Sequence, residues 1–158
     1  MSEGPVVHRR WSRDSLVVSC DPADQDLDVI HAFLVESYWA KGIPCETVAR
    51  SIRGSLCFAL RDGARQVGFA RVISDRATIA YLGDVFVLPE YRGRGLGKWL
   101  VECVMSHPEL QGMRRWMLGT LDAHELYRRF GFTPLAEPAK MMERRNWNVY
   151  ASPPPKRP

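Results

Sequence analysis

No uncharged run in this 158-residue chain approaches the ~20 residues that a membrane-spanning helix needs. Stretches such as Ala77 to Gly83 and Val85 to Pro89 are short. The start has no apolar segment either. Met1 to Arg13 carries Glu3, Arg9, Arg10 and Arg13, which is not the pattern of a secretory signal. Cysteine is scarce and scattered: Cys20, Cys45, Cys57 and Cys103 lie 25, 12 and 46 residues apart, with no C-x-x-C pair. His8, His31, His107 and His124 are equally dispersed, so no metal site is expected. Free thiols in a reducing cytoplasm are the default reading of such cysteines. Charge of one sign is not in great excess, 22 Lys and Arg against 18 Asp and Glu. The resulting +4 favours an anionic ligand without marking a nucleic-acid binder. The alternating aromatic and basic residues of RNA-binding sheets are missing, as are zinc-finger and helix-turn-helix signatures. Neither a nucleic acid nor a membrane is an expected partner.

What the chain does contain is a core. It is 46% hydrophobic and 25% charged, the balance of a folded domain. A chain of this length buries roughly 68–70% of its extended surface, enough to need no covalent staples. Residues 14–150 are expected to form one domain, with 1–13 a flexible N-terminus and 151–158 an extended, proline-rich basic tail.

Periodicity and breakers give the element order. Ser15 to Cys20 reads as a strand, and Asp24 as the cap of a helix to about Ala40, with Ile30, Phe33, Leu34 and Tyr38 at helical spacing. Gly42 ends that helix and Pro44 opens a second through Ser51. Leu56 to Leu60 and Gln66 to Ser74 form a hairpin about Asp62-Gly63, and Thr78 to Leu88 is the clearest strand. An amphipathic helix follows, with Leu96, Leu100, Cys103 and Val104 on one face. Then come a strand from Arg115 to Thr120 and a short helix begun by Asp122 and Glu125 and ended by Gly131. Strands at Phe132 to Leu135 and Lys140 to Arg144 would close the sheet. The order is β-α-α-β-β-β-α-β-α-β-β, a mixed-sheet α/β domain.

One segment carries chemistry. Between the strand at Asp84 and the helix at Leu96 the chain reads V-x-P-x-Y-R-G-x-G-x-G, with glycines at 93, 95 and 97. Glycine permits positive φ and lets the backbone approach a ligand. The N–H groups at a helix start form a receptor for phosphate, and Arg92, Arg94 and Lys98 add donors and charge there. Neither familiar phosphate loop fits. Lys98 precedes Trp99 rather than Ser or Thr, and the glycine spacing is G-x-G-x-G rather than G-x-G-x-x-G.

The turn resembles that of the GNAT superfamily of N-acetyltransferases. About thirty residues on, Thr120 to Phe132 (TLDAHELYRRFGF) is similar to the family's N-x-x-A-x-x-L-Y-x-x-x-G-F segment. The resemblance covers roughly Leu56 to Phe132. It implies the acyl-CoA N-acyltransferase fold, in which the fourth and fifth strands of the order above splay and admit the pantetheine arm of acetyl-CoA. By that resemblance the main chain of Val85, Phe86 and Val87 pairs with the arm, and an N–H near Val85 polarises the thioester carbonyl. The amides of Arg92, Gly93, Arg94, Gly95, Leu96, Gly97 and Lys98 then hold the pyrophosphate. Thr120 stands where the family commonly has asparagine, and it lacks the two-ended contact of an amide. Tyr127 stands where the family places an acid for the leaving thiolate.

The family often supplies a base on its fourth strand, and by that resemblance Asp84, the one carboxylate there, is the candidate; a structural hydrogen-bonding role for it, Glu36 as the base, or deprotonation relayed by water are the alternatives. Strict alternation turns Asp84 away from Tyr81, Gly83, Val85 and Val87; a family β-bulge would change that locally. The resemblance also puts the first two helices and their loop around the acceptor, which makes Phe33, Glu36, Tyr38 and Trp39, with Tyr81, the expected walls of its pocket. The implied activity is direct transfer of an acetyl group from acetyl-CoA to a primary amine, preferably on a small molecule. A protein lysine or N-terminus as acceptor, or an acyl-CoA sensor without turnover, are the alternatives. The resemblance also allows a homodimer.

Overall fold

Antiparallel pairing carries the chain through five strands in sequence order, and only the last pairing is parallel. The computed structural model describes residues 8–151. Its strands β1 (Arg10–Arg13), β2 (Leu16–Ser19), β3 (Leu56–Asp62), β4 (Arg65–Ser74), β5 (Ile79–Val87) and β6 (Arg115–Leu118) form one sheet in the order β1-β2-β3-β4-β5-β6. A parallel neighbour needs a crossover, and α3 (Leu96–Ser106) supplies it between β5 and β6.

Each face of the sheet has its own core. On one, Phe58, Leu60, Ala70, Val72, Ala80 and Leu82 meet Leu96, Leu100, Cys103 and Val104 of α3 and Tyr127 of α4 (His124–Arg128). On the other, Cys57, Phe69 and Phe86 meet Ile30 and Leu34 of α1 (Leu27–Leu34) and Val48 of α2 (Cys45–Arg53). Neighbours such as Cys57 and Phe58 go to opposite sides, the period-two signature of a strand. The fully buried Gln66 ties α1 to the sheet: its carbonyl accepts from the Asp26 N–H at 2.7 Å, and its amide donates to the Gly68 carbonyl at 3.0 Å. No helix among the described residues is long and apolar enough to cross a membrane.

The mixed α/β architecture is the expected one, and three details differ. The ordered chain starts before residue 14, because β1 pairs with β2 across a turn at Asp14 (φ 53°) and Trp11 stacks on Phe58 at 6.0 Å. Residues 1–7 and 152–158 of the two expected tails lie outside the described residues. The first helix is capped by Asp26, not Asp24, and ends at Leu34, so Glu36, Tyr38 and Trp39 belong to the connection before α2. Finally, the closing strands at Phe132 to Leu135 and Lys140 to Arg144 do not form. Pro134 removes a ladder donor from the first, and Pro138 starts a 3-10 turn that takes Lys140 from the second. Among the described residues, β6 is therefore the end of the sheet.

Candidate active site

β5 and β6 pair only from Ile79 to Leu82, against Arg115 to Leu118. Beyond Leu82 the β6-facing edge of β5 is unpaired, so the two strands part at Gly83. The same point carries a bulge. Phe69 of β4 pairs with Phe86 and Arg71 with Gly83, leaving Asp84 and Val85 opposite one residue. Asp84 has φ 53°, in the left-handed region. The extra residue reverses the facing of the strand: Ala80 and Leu82 belong to the α3 core, whereas after the bulge Phe86 belongs to the α1/α2 core. Simple alternation would send Asp84 towards α3. The bulge sends it instead to the face of α1 and α2, where both carboxylate oxygens have donors. Trp39 Nε1 donates at 2.8 Å to Oδ1, and Arg71 Nε at 2.7 Å to Oδ2.

The parting of the strands opens a cleft of about 680 Å³. Tyr38, Trp39, Tyr81, Asp84, Val85, Thr120 and Tyr127, all singled out from the sequence, line it. The Tyr81 ring lies against two glycines. A Cβ on Gly83 would stand 3.2 Å from the Tyr81 ring, and one on Gly119 would stand 3.6 Å from its hydroxyl. The Tyr38 hydroxyl reaches across and accepts from the Leu121 N–H at 3.0 Å. Thr120 turns inward on its own loop, its hydroxyl accepting from the Ala123 N–H at 3.0 Å. That bond starts α4 in place of the expected Asp122 cap, since the helix has no side-chain N-cap at Ala123.

Tyr127 is both core and cleft residue. Its ring meets Phe132 edge-on at 5.9 Å, and the side chain is 7% exposed. Burial, helped by Tyr38 and Asp122, pushes its phenol up to about 12. Removal from water disfavours the phenolate, so the group holds its proton throughout the neutral range.

The glycine turn lies outside the cleft lining, at the far end of β5. Gly93 (φ 77°) and Gly95 (φ 73°) adopt the left-handed conformation, and Gly95 caps α3. Trp99 is the first residue of α3 to reach back, its N–H meeting the Gly95 carbonyl at 3.1 Å. Among the described residues no acceptor meets the N–H groups from Gly93 to Lys98. Tyr91 fixes the turn by donating to Asp62 at 2.8 Å, and the Arg94 guanidinium lies over the Tyr91 ring at 5.3 Å. Lys98 stands 3.8 Å from Glu102. Arg92, expected to lend its amide to the pyrophosphate, has that N–H donating to the Pro89 carbonyl at 3.2 Å, and its Nε donates to the Val87 carbonyl at 2.9 Å.

Two expected wall residues are elsewhere. Phe33 stacks on Phe86 at 3.9 Å beneath the cleft, and Glu36 is exposed outside its lining. Of the expected backbone contacts, Phe86 turns its side chain into the α1/α2 core and Val87 packs towards α3. Sequence reasoning missed Arg71, Asp122, Arg145 and Tyr150, which also line the cleft. Arg71 left a signal: a guanidinium inside the apolar strand VGFARVI needs a partner. Arg145 and Tyr150 left none, because a segment without regular structure brings them in.

A family model described as an acetyltransferase (GNAT) domain matches residues 53–134. Over 142 residues the chain is 34% identical to an assigned acetyltransferase of Gibberella zeae (FG08082), covering 75% of this chain and 79% of that one. A crystal structure of an assigned GNAT-family acetyltransferase from Xanthomonas campestris pv. campestris is 54% identical. It superposes with a TM-score of 0.84, covering 87% of this chain and 97% of that one. A GNAT-family acetyltransferase of Elizabethkingia anophelis, crystallised with acetyl-CoA bound, is 14% identical with a TM-score of 0.59, covering 77% of this chain and 78% of that one. At that identity the likeness concerns the fold alone.

Proposed function

From the premise that the chain belongs to the GNAT acetyltransferases, acetyl-CoA-dependent N-acyltransferases, we propose that it transfers acetyl directly to the primary amine of a small molecule. The observation that carries this reading is the parting of β5 and β6 at the Asp84 bulge, which leaves Val85, Asp84 and Tyr127 around one cleft. The pantetheine arm extends along the open edge of β5 from Val85 to Val87, and the amides from Gly93 to Lys98 take the pyrophosphate.

The amine lone pair attacks the thioester carbonyl carbon, and a C–N bond forms. The Val85 N–H stabilises the oxyanion, a role whose loss in other enzymes costs about 2.7–4 kcal/mol. Collapse of the tetrahedral intermediate breaks the C–S bond, and the Tyr127 phenol protonates the departing sulfur. The proton lost by the attacking nitrogen passes to Asp84, whose oxygens retain lone pairs beyond those bonded by Trp39 and Arg71. Solvent then reprotonates Tyr127 and takes the proton from Asp84. A phenol pushed up to about 12 is a weak acid. Against a thiol of pKa about 8.5 it acts through its position beside the sulfur as negative charge develops. A small acceptor is favoured by the cleft's aromatic walls, Tyr38, Trp39 and Tyr81, which are large apolar groups left partly exposed at one place.

The test is thermal unfolding with and without acetyl-CoA. A hundredfold excess over the dissociation constant adds about 2.7 kcal/mol of stability. For a domain of this size each kcal/mol raises the midpoint by roughly 2–4 °C. A rise of several degrees with acetyl-CoA, absent with adenosine, supports the cofactor assignment, and no rise overturns it. Release of CoA thiol with 2-phenylethylamine but not with a lysine-containing peptide supports the small acceptor; the reverse result moves the assignment to proteins.

A further inference from the structure

Arg71, a cleft residue that the mechanism above does not use, joins three parts of the molecule. Its Nε donates to Asp84 Oδ2 at 2.7 Å, and its Nη1 donates to the Ser55 hydroxyl at 3.1 Å. Ser55 is anchored in turn, donating to the Ser51 carbonyl of α2 at 2.7 Å. The other oxygen of Asp84 holds the Trp39 indole at 2.8 Å. A chain of hydrogen bonds therefore runs from the end of α2, through β4 and the bulge of β5, to the connection between α1 and α2. The Arg71 and Asp84 side chains are 17% and 11% exposed, so solvent does not screen the pair as it does surface ion pairs. Asp84 itself sits on a left-handed backbone, where the surrounding contacts must fix the residue.

We propose that Arg71 is a positioning residue of the acceptor half of the cleft. Its guanidinium fork fixes the Asp84 carboxylate against Ser55, and that carboxylate fixes the Trp39 indole and with it the wall formed by Tyr38 and Trp39. The place of this chain in acyl transfer rests on the acetyltransferase reading above; the positioning does not. The fork matters as well as the charge. A lysine ammonium on a flexible stem cannot reproduce a planar donor set that spans a carboxylate and a hydroxyl.

The test is the indole N–H resonance of Trp39, assigned by its loss in Trp39→Phe. In Arg71→Lys the positive charge is kept and no buried carboxylate is left unpaired, so the protein folds. The resonance is expected to move upfield and its solvent exchange to accelerate, in the same direction as in Asp84→Asn. Because both substitutions act on one carboxylate, the double variant is expected to move the resonance no further than Asp84→Asn alone. The acetyl-CoA-induced rise in melting temperature is expected to match that of the unsubstituted protein. An unmoved resonance with unchanged exchange in Arg71→Lys overturns the proposal, as does a double variant in which the two displacements add. Absence of the acetyl-CoA rise in the unsubstituted protein would strike the cofactor reading instead and leave the indole result standing.

Discussion

The two halves of the proposed site, the acceptor cleft and the cofactor run that continues beyond it, are built by different means. The proposed cofactor half is a contiguous run, from the Asp84 bulge along β5 and through the glycine turn into α3, and most of the groups it would bond with belong to the backbone. The acceptor half is assembled from side chains far apart in sequence: Trp39, Arg71, Asp84 and Arg145 come from four separate segments. Backbone recognition imposes local requirements, namely glycines at positive φ and a helix start, and these leave a mark within fifteen residues. Side-chain recognition imposes only a meeting in space, which any residue of suitable length can satisfy.

Tyr127 stands where the halves meet, and its removal should have the largest effect. Tyr127→Phe preserves the ring against Phe132 and deletes only the hydroxyl. Turnover is expected to fall by roughly 10²–10⁴, the usual contribution of a positioned acid. Unchanged turnover, with chemistry shown to be rate-limiting, removes Tyr127 from the mechanism. The phenol, pushed up to about 12, should also give no alkaline fall in turnover at pH 10 or below. The matching stability effect has a definite sign. The native state binds this proton more tightly than the unfolded chain, whose tyrosine titrates near 10. The contribution is therefore complete below pH 10 and is lost as pH rises towards 12.

Gly95→Val attacks the cofactor half alone. A Cβ there has open space around it, so the cost is conformational: a left-handed backbone at φ 73°. That penalty is about 1–2 kcal/mol for an ordinary residue, equivalent to a melting point lower by several degrees at roughly 2–4 °C per kcal/mol. The fold is expected to survive, and the melting-temperature rise with acetyl-CoA is expected to disappear. A variant that keeps that rise would show that the turn does not hold the pyrophosphate.

How legible each part was follows from the same distinction. The G-x-G-x-G turn, α3 with its buried stripe, and Tyr127 with the segment around it could be read because each is a local pattern. The direction of Asp84 could not be read from alternation, because a bulge is one extra residue that periodicity does not announce. Phe33 and Glu36 are expected on the cleft because the resemblance puts the first two helices and their loop around the acceptor. The resemblance names a region and not a facing: Phe33, inside α1, stacks on Phe86, and Glu36, two residues past the helix end at Leu34, is exposed. The missing closing strands were legible after all, in Pro134 and Pro138. Apolar content alone does not make a strand when a proline removes the donor that the ladder needs.

The finest separation of the two halves is available at Tyr38. Its hydroxyl spans the cleft to the Leu121 N–H at 3.0 Å, yet the side chain is 60% exposed. In Tyr38→Phe the ring remains beside Trp39, and water can satisfy the freed N–H. Only the net worth of one hydrogen bond is at stake, about 0.5–1.5 kcal/mol. If Tyr38 serves the acceptor alone, that loss appears as a rise of up to about tenfold in the acceptor KM, since 1.4 kcal/mol is tenfold. The melting-temperature rise with acetyl-CoA stays as it was. A smaller rise with acetyl-CoA would instead mean that the bond to Leu121 holds the loop carrying Thr120 in its cofactor-binding position. The wall of one half would then be a support of the other, and the two would not be separable at this residue.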